Sequence, residues 1–99
     1  MKVISEDYLK KIGFSAIRRT CSDDLIDTAL IGYINQARAD LVRLGISESV
    51  AESESDPLVQ GCIEMYVSWR FEQDNTTAGR MMNEYRILAE QLKRSKRSD

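Results

Sequence analysis

Acidic side chains are the most crowded chemical groups in this sequence, and one group of them is Asp23, Asp24 and Asp27. On a helix, positions 23 and 27 share a face, so these carboxylates could hold a metal ion or exchange protons. However, no histidine, further glutamate or glycine-rich stretch lies beside them to complete such a site. We therefore interpret them as acids at a helix N-terminus, where the helix dipole stabilises negative charge.

The second acidic group lies in residues 47–56, the acidic segment, which contains Glu48, Glu52, Glu54 and Asp56. A calcium-binding loop arranges its oxygen ligands around a central glycine, and the acidic segment has no glycine. We therefore expect no metal ion there. The segment is either solvated or in contact with a partner.

The sequence contains few of the residues that nucleophilic catalysis or cofactor binding requires. The chain has no histidine, and its two cysteines, Cys21 and Cys62, do not form a Cys-x-x-Cys pair. A catalytic cysteine needs a base beside it, and a zinc site needs more ligands than these two thiols provide. The sequence also has no glycine-rich phosphate loop and no Gly-x-Ser-x-Gly motif. We expect reduced, partly buried thiols, no cofactor, and a protein that is not an enzyme.

Basic residues are concentrated near the end of the chain. This basic end consists of Lys93, Arg94, Lys96 and Arg97. A terminus of this kind is solvated, docks on another protein, or contacts phosphates with a strong dependence on salt. All three interpretations remain open from the residues alone.

Arg70 is a second basic candidate, because it lies between Trp69 and Phe71. Aromatic and basic residues together are typical of nucleic-acid stacking surfaces. Consecutive residues on a helix point about 100° apart, however, so we expect that the two rings and the guanidinium do not form one face. The sequence predicts core packing for the rings and an interface or salt-bridge role for Arg70.

The elements that position these side chains belong to one domain. The chain has 99 residues, of which 42% are hydrophobic and 30% charged, which is ordinary for a globular protein with a single core. No apolar run approaches the roughly 20 residues that span a bilayer. We expect no secretory signal, because the N-terminus becomes acidic after a single lysine.

Charge is distributed unevenly along the chain, although the net charge is only −2. Residues 1–44 carry seven basic and six acidic groups, residues 45–75 one basic and seven acidic groups, and residues 76–99 six basic and three acidic groups. An acidic middle and a basic end can meet head to tail between copies, or they can remain solvated.

The hydrophobic periodicity predicts helices throughout the chain. Ser5 is a cap for a short first helix that Gly13 can end. A long second helix covers about residues 23–44, and Gly45 occupies the position of a left-handed C-terminal cap. The acidic segment then forms an extended connection, longer than the usual four to six or so residues.

Two more helices follow the acidic segment. Asp56 and Pro57 give a clear start to the third helix, which is apolar on nearly every side. Residues 74–77 offer caps for a fourth helix, whose apolar residues repeat up to Leu92. We predict an all-α fold: an irregular bundle of about four helices, two of them long, with an extended acidic loop. Residues 1–92 form the single domain, and residues 93–99 form a flexible basic tail.

Residues 56–67, Asp-Pro-Leu-Val-Gln-Gly-Cys-Ile-Glu-Met-Tyr-Val, resemble a helix of small head–tail connector proteins of tailed bacteriophages and prophages. The segments 23–27 and 37–41 resemble the long second helix of that family. Further downstream, the matching residues are Asp74, Asn75, Met82, Tyr85, Arg86, Leu88 and Leu92. The resemblance covers about residues 4–92 and contains no catalytic signature.

This resemblance implies a virion structural protein that is made in the host cytoplasm and assembles as a ring of about a dozen copies on the portal protein. Such a ring extends the DNA channel and supports the next head–tail joining protein. Genomic DNA would pass through without sequence-specific contact, and no membrane would be involved. A heterologous contact between copies closes into a ring when the rotation permits.

Within this hypothesis, each candidate residue has a role. Glu48, Glu52 and Glu54 contact a neighbouring subunit or line the channel, and Arg70 is an interface residue. The basic end, Lys93 to Arg97, docks on the portal. The alternative is a small helical DNA-binding or regulatory protein of a phage or prophage, which would place Arg18, Arg19 and the basic end on phosphates.

Overall fold

The computed structural model describes residues 3–18 and 24–95, and within these ranges it contains five helices and no strand. They are α1 (Glu6–Ile17), α2 (Asp24–Arg43), α3 (Glu48–Ala51), α4 (Pro57–Phe71) and α5 (Asn75–Ser95). The all-α class is confirmed. The described residues contain five helices where about four were predicted, because the acidic segment contains the short helix α3.

The first helix does not end at Gly13, and this expectation is wrong. Ser5 caps α1 as predicted, since its hydroxyl accepts a 3.1 Å hydrogen bond from the amide of Tyr8. The helix then continues through the buried Gly13 to Ile17 and closes at Arg18, whose φ of 57° is left-handed. Packing of the last turn against α4 outweighs the cost of about 1 kcal/mol for a glycine inside a helix.

The end of α2 confirms the predicted glycine cap. Gly45 has a φ of +107°, and the amide of Ile46 donates to the carbonyl of Leu41 at 3.0 Å. Ile46 is buried, so its side chain fixes the direction in which the chain leaves the helix. The predicted start of α2 at Asp23 lies outside the described residues.

The acidic segment is more ordered than the predicted extended loop. Ser47 caps α3, and its hydroxyl accepts from the amide of Val50 at 3.4 Å. Ala51, at the end of α3, is fully buried. The neighbouring Val50 is half-buried and packs against the same core, so these two apolar residues hold the helical turn against the bundle.

The starts of α4 and α5 confirm the capping signals. Asp56 accepts a 2.9 Å hydrogen bond from the amide of Leu58, and Pro57 is the first helical residue. Asp74 accepts from both the amide and the hydroxyl of Thr77, at 2.9 and 2.6 Å. These two bonds lower the pKa of the Asp74 carboxyl, because they favour its charged form.

The central helix is α4, which packs against α1, α2 and α5. Its buried face consists of Val59, Cys62, Ile63, Tyr66 and Val67. This position explains the nearly all-round apolar sequence of α4, since three neighbouring helices cover it.

The directions of the helices follow from contacts between them. The N-terminus of α1 meets the start of α4 through Ser5 and Glu54, and the hydroxyl of Ser68 donates to the carbonyl of Ala16 near the other end of both helices. Helices α1 and α4 are therefore parallel. Lys93 near the end of α5 lies against Gly45, so α5 ends where α2 ends. We call this side of the bundle, which also carries α3, the α3 end.

Within residues 3–18 and 24–95, none of the helices combines the length and the apolar character needed to cross a membrane.

Candidate functional site

The candidate residues of the acidic segment occupy different environments. Glu48 is exposed on the first turn of α3, and Glu52 is the half-buried C-cap residue of the same helix. Glu54 lies in the connection to α4 and turns toward its own chain. The structure therefore separates Glu54 from Glu48 and Glu52, which the sequence grouped together.

Glu54 joins three parts of the fold. One carboxylate oxygen accepts from the amide of Ser5 at 2.9 Å, and the other accepts from the Ser5 hydroxyl at 2.5 Å. The carboxylate also lies 3.5 Å from Nη2 of Arg38, whose side chain is 0% exposed. A charge buried to this extent needs an opposite charge beside it, so Glu54 stabilises the position of α2 relative to α1.

Sequence reasoning missed Arg38. It lies four residues after Ile34 and three before Leu41, and both of these are fully buried. That spacing places Arg38 on the buried face of α2, next to the apolar stripe. The burial of Arg38 could be predicted from this spacing, but its pairing with Glu54 could not, because the two residues are far apart in the chain.

Tyr8 lies beside the pair of Arg38 and Glu54. Burial raises the pKa of the Tyr8 phenol to about 12, although the positive charge of Arg38 acts in the opposite direction. Its buried hydroxyl has no hydrogen-bond partner within the described part of the chain. The contacts around Glu54 therefore organise the fold, and the Tyr8 hydroxyl adds no bond to them.

Arg70 lies over aromatic rings from two helices. Its guanidinium carbon is 5.0 Å from the ring centre of Tyr33, 5.8 Å from that of Trp69 and 6.0 Å from that of Tyr66. These distances fall in the range of cation–π attraction. We call Arg70, Tyr33, Trp69 and Tyr66 the Arg70 platform. Arg70 itself is exposed, so the platform is accessible from solvent.

The expectation that the aromatic rings and the guanidinium cannot share a face is therefore wrong in part. Trp69 and Arg70 approach each other although they are adjacent, because the long arginine side chain bends back over its own helix. Tyr33 of α2 then contacts Arg70 and also packs against Phe71 in a T-shaped arrangement, with a distance of 5.1 Å between the two ring centroids. The contact with Tyr33 could not be predicted from the geometry of α4 alone, because Tyr33 belongs to a different helix.

The basic end is partly helical. α5 continues through Lys93 and Arg94 to Ser95, while Lys96 and Arg97 lie outside the described residues. The side chain of Lys93 covers Gly45, since its Cε would lie 3.3 Å from a Cβ atom built there. The basic end and the acidic α3 thus lie at the same end of one molecule.

No group of three or more cysteine or carboxylate side chains is placed to hold a metal ion in the part of the chain that the structure describes. Burial raises the pKa of the Cys62 thiol to about 11, so this thiol is protonated and unreactive near neutral pH. Cys21, Arg19 and Asp23 lie outside the described residues.

Comparison with known proteins gives one match. The model of a family described as phage connector protein matches residues 14–99. No curated protein matches the chain. No solved structure matches it either.

Proposed function

The chain belongs to the phage connector protein family, and we propose that it acts as a head–tail connector that assembles as a ring on the portal. The observation that carries the proposal is the family match over residues 14–99, which covers most of the bundle. The resemblance drawn from the sequence is confirmed at the level of the family. In this role the protein is a virion component that is made in the host cytoplasm and performs no catalysis.

The ring contains about a dozen copies and extends the DNA channel of the portal. A small helical subunit suits this role, because heterologous contacts between identical subunits can close into a ring. Glu48 and Glu52 contact the neighbouring subunit or line the channel, where negative charge keeps DNA from binding. Carboxylates at a channel wall repel phosphates over about 8 Å at physiological salt.

The basic end docks on the portal protein. Lys93 and Arg94 are exposed on the last turn of α5, with Lys96 and Arg97 following in the sequence. The opposite side of the ring supports the next head–tail joining protein. Docking through lysine and arginine predicts an interaction that weakens as salt increases.

Substitution of the basic end tests the docking. The double variant Lys93→Gln/Arg94→Gln keeps α5 intact, and we expect it to bind purified portal rings at least about tenfold more weakly than the wild type. The matched control is Arg80→Gln/Arg86→Gln, which removes the same charge from exposed positions on the same helix. Portal binding should be measured by sedimentation at two salt concentrations.

Deletion of residues 93–99 is the stronger version of this test. It removes only three residues that the structure places in α5, so helix content should change little while portal binding falls. Unchanged portal binding in both variants would contradict the docking role. Micromolar binding to DNA with a steep salt dependence would instead favour the alternative of a DNA-binding or regulatory protein.

A further inference from the structure

The Arg70 platform has the composition of a contact surface. Arginine, tyrosine and tryptophan are the residues that most often dominate binding energy at protein interfaces. Here Arg70 is exposed, and Tyr33 and Trp69 are half-buried beside it. The rings restrict the guanidinium before any partner arrives, so less entropy is lost on binding.

Arg70 also has unused hydrogen-bonding capacity. A guanidinium carries five N–H donors, and Arg70 donates one long bond of 3.4 Å to the Tyr66 hydroxyl. Among the described residues it has no carboxylate partner within ion-pair distance. It is the only basic residue between positions 44 and 75. An exposed, oriented and unpaired cation of this kind fits a carboxylate.

Gln36 of α2 lies beside the Arg70 platform, since its amide oxygen accepts a 3.4 Å hydrogen bond from the Tyr66 hydroxyl. On α2, the nearby residues Gly32 and Gln36 carry no charge, and a Cβ atom built at Gly32 meets no described atom within 4 Å.

The acidic segment supplies a matching carboxylate. Asp56 caps α4, and Glu54 contacts Ser5 and Arg38. Glu48 is exposed on α3, and its carboxylate has no ion-pair or hydrogen-bond partner among the described residues. Glu48 is therefore available to a partner.

Glu48 cannot reach Arg70 of its own chain. Glu48 lies at the α3 end, beyond the start of α4 at Pro57, whereas Arg70 is the penultimate residue of α4. The helix between these two points is about 20 Å long. The complementary groups thus lie at opposite ends of one molecule, which permits pairing only between copies.

We propose that the Arg70 platform of one subunit binds Glu48 on α3 of a neighbouring copy. This contact rests on the proposed function, because it supplies one of the contacts between subunits in the ring. It joins two different surfaces, so it is heterologous and can propagate around a closed ring. This contact differs from the pairing of the acidic segment with the basic end that the sequence suggested. Those two segments lie at the same end of each molecule.

Charge reversal tests the pairing. We expect Arg70→Glu and Glu48→Arg each to weaken self-association at least about tenfold, because each places like charges together. The double variant Glu48→Arg/Arg70→Glu should regain most of the association, because it restores opposite charges. Arg70→Lys should be intermediate, since lysine keeps the charge and loses the planar fork. Sedimentation velocity over a wide concentration range at low salt measures all four variants.

The matched control is Arg86→Glu, which makes the same charge change at an exposed position of α5 and should associate like the wild type. Circular dichroism checks that each variant keeps its helix content. The contact is overturned if Arg70→Glu associates like the wild type, if the double variant is no better than the single ones, or if the wild type remains monomeric at every concentration. Portal binding by the same samples is a separate readout, so the contact can fail while the proposed function stands.

Discussion

The hydroxyl of Tyr85 on α5 donates a 2.6 Å hydrogen bond to Oδ2 of Asp40 on α2. The other oxygen of this carboxylate accepts from the guanidinium of Arg43 at 2.7 Å, so Asp40 links the end of α2 to the middle of α5. Tyr85 is only 3% exposed. The donor is therefore shielded from water although the Asp40 side chain is 22% exposed, and loss of this bond to a charged group is costly.

Tyr85→Phe should lower the free energy of unfolding by about 2 kcal/mol, because it removes a hydrogen bond to a charged group. The control is Tyr33→Phe, since the Tyr33 hydroxyl makes no hydrogen bond with the described residues. The control should change stability by less than about 0.5 kcal/mol. Urea denaturation measures both variants, and equal effects would contradict the role given to the bond with Asp40.

Alkaline pH should destabilise the fold. Burial raises the pKa of Cys62 from 9.0 to about 11 and that of Tyr8 from 10.0 to about 12. Burial and the bond to Asp40 also raise the pKa of Tyr85. Each group is protonated in the folded state and ionises more easily in the unfolded chain. Its contribution to the free energy of unfolding is therefore complete below its unfolded pKa and is lost as the pH rises toward its folded pKa.

Unfolding free energies measured from pH 8 to pH 12 check this expectation. Stability should begin to fall near pH 9 and continue falling to about pH 12. Tyr8→Phe should make the fall between about pH 10 and pH 12 shallower, because that phenol no longer ionises in the unfolded chain. At pH 7 the same variant should be as stable as the wild type or more stable, since the buried hydroxyl has no described partner. An identical pH profile in variant and wild type would contradict the account.

Glu54→Gln should destabilise the protein by on the order of 3 kcal/mol, because it removes the negative charge beside the fully buried Arg38. Glutamine has nearly the same shape and can still accept from Ser5, so the loss reports mainly on charge. Glu48→Gln is the matched control in the same acidic segment, where the side chain is exposed. We expect this control to lower the free energy of unfolding by less than about 0.5 kcal/mol, measured by thermal or urea unfolding. Similar losses of stability in both variants would show that the charge of Glu54 does not stabilise the fold.

Two glycines should respond to alanine with opposite signs. Gly45→Ala should cost about 1 kcal/mol or more, because Gly45 has a φ of +107° and a Cβ atom there would lie 3.3 Å from Lys93 Cε. Gly61→Ala should stabilise the protein by about 0.5 to 1 kcal/mol, because Gly61 is inside α4 and a Cβ atom would meet nothing described within 4 Å. Destabilisation by Gly61→Ala would indicate that another surface packs there.

The sequence predicted the ends of helices best, because their signals are local. Asp56 with Pro57, Gly45 and Asp74 each act within four residues of their own position, and the structure confirms them as caps. The continuation of α1 through Gly13 could not be predicted from local signals. Whether a helix continues through a glycine depends on what its last turn packs against, and α1 packs against a helix more than 40 residues later.

The contacts of the candidate site were least predictable, because they join distant parts of the chain. Glu54 and Ser5 are 49 positions apart, so nothing near Glu54 in the sequence distinguishes it from the exposed Glu48. Likewise, Arg70 owes its position to Tyr33 on another helix. The residue types at these positions were visible, but the pairing depends on how the helices pack.

The most direct test of the connector role is the native mass of the protein alone and after mixing with rings of its portal protein. The measurement should cover a hundredfold range of concentration at moderate salt. We predict a discrete species of about a dozen copies, either alone or bound stoichiometrically to the portal ring. A protein that remains monomeric and forms no complex with the portal at any concentration would contradict the connector role.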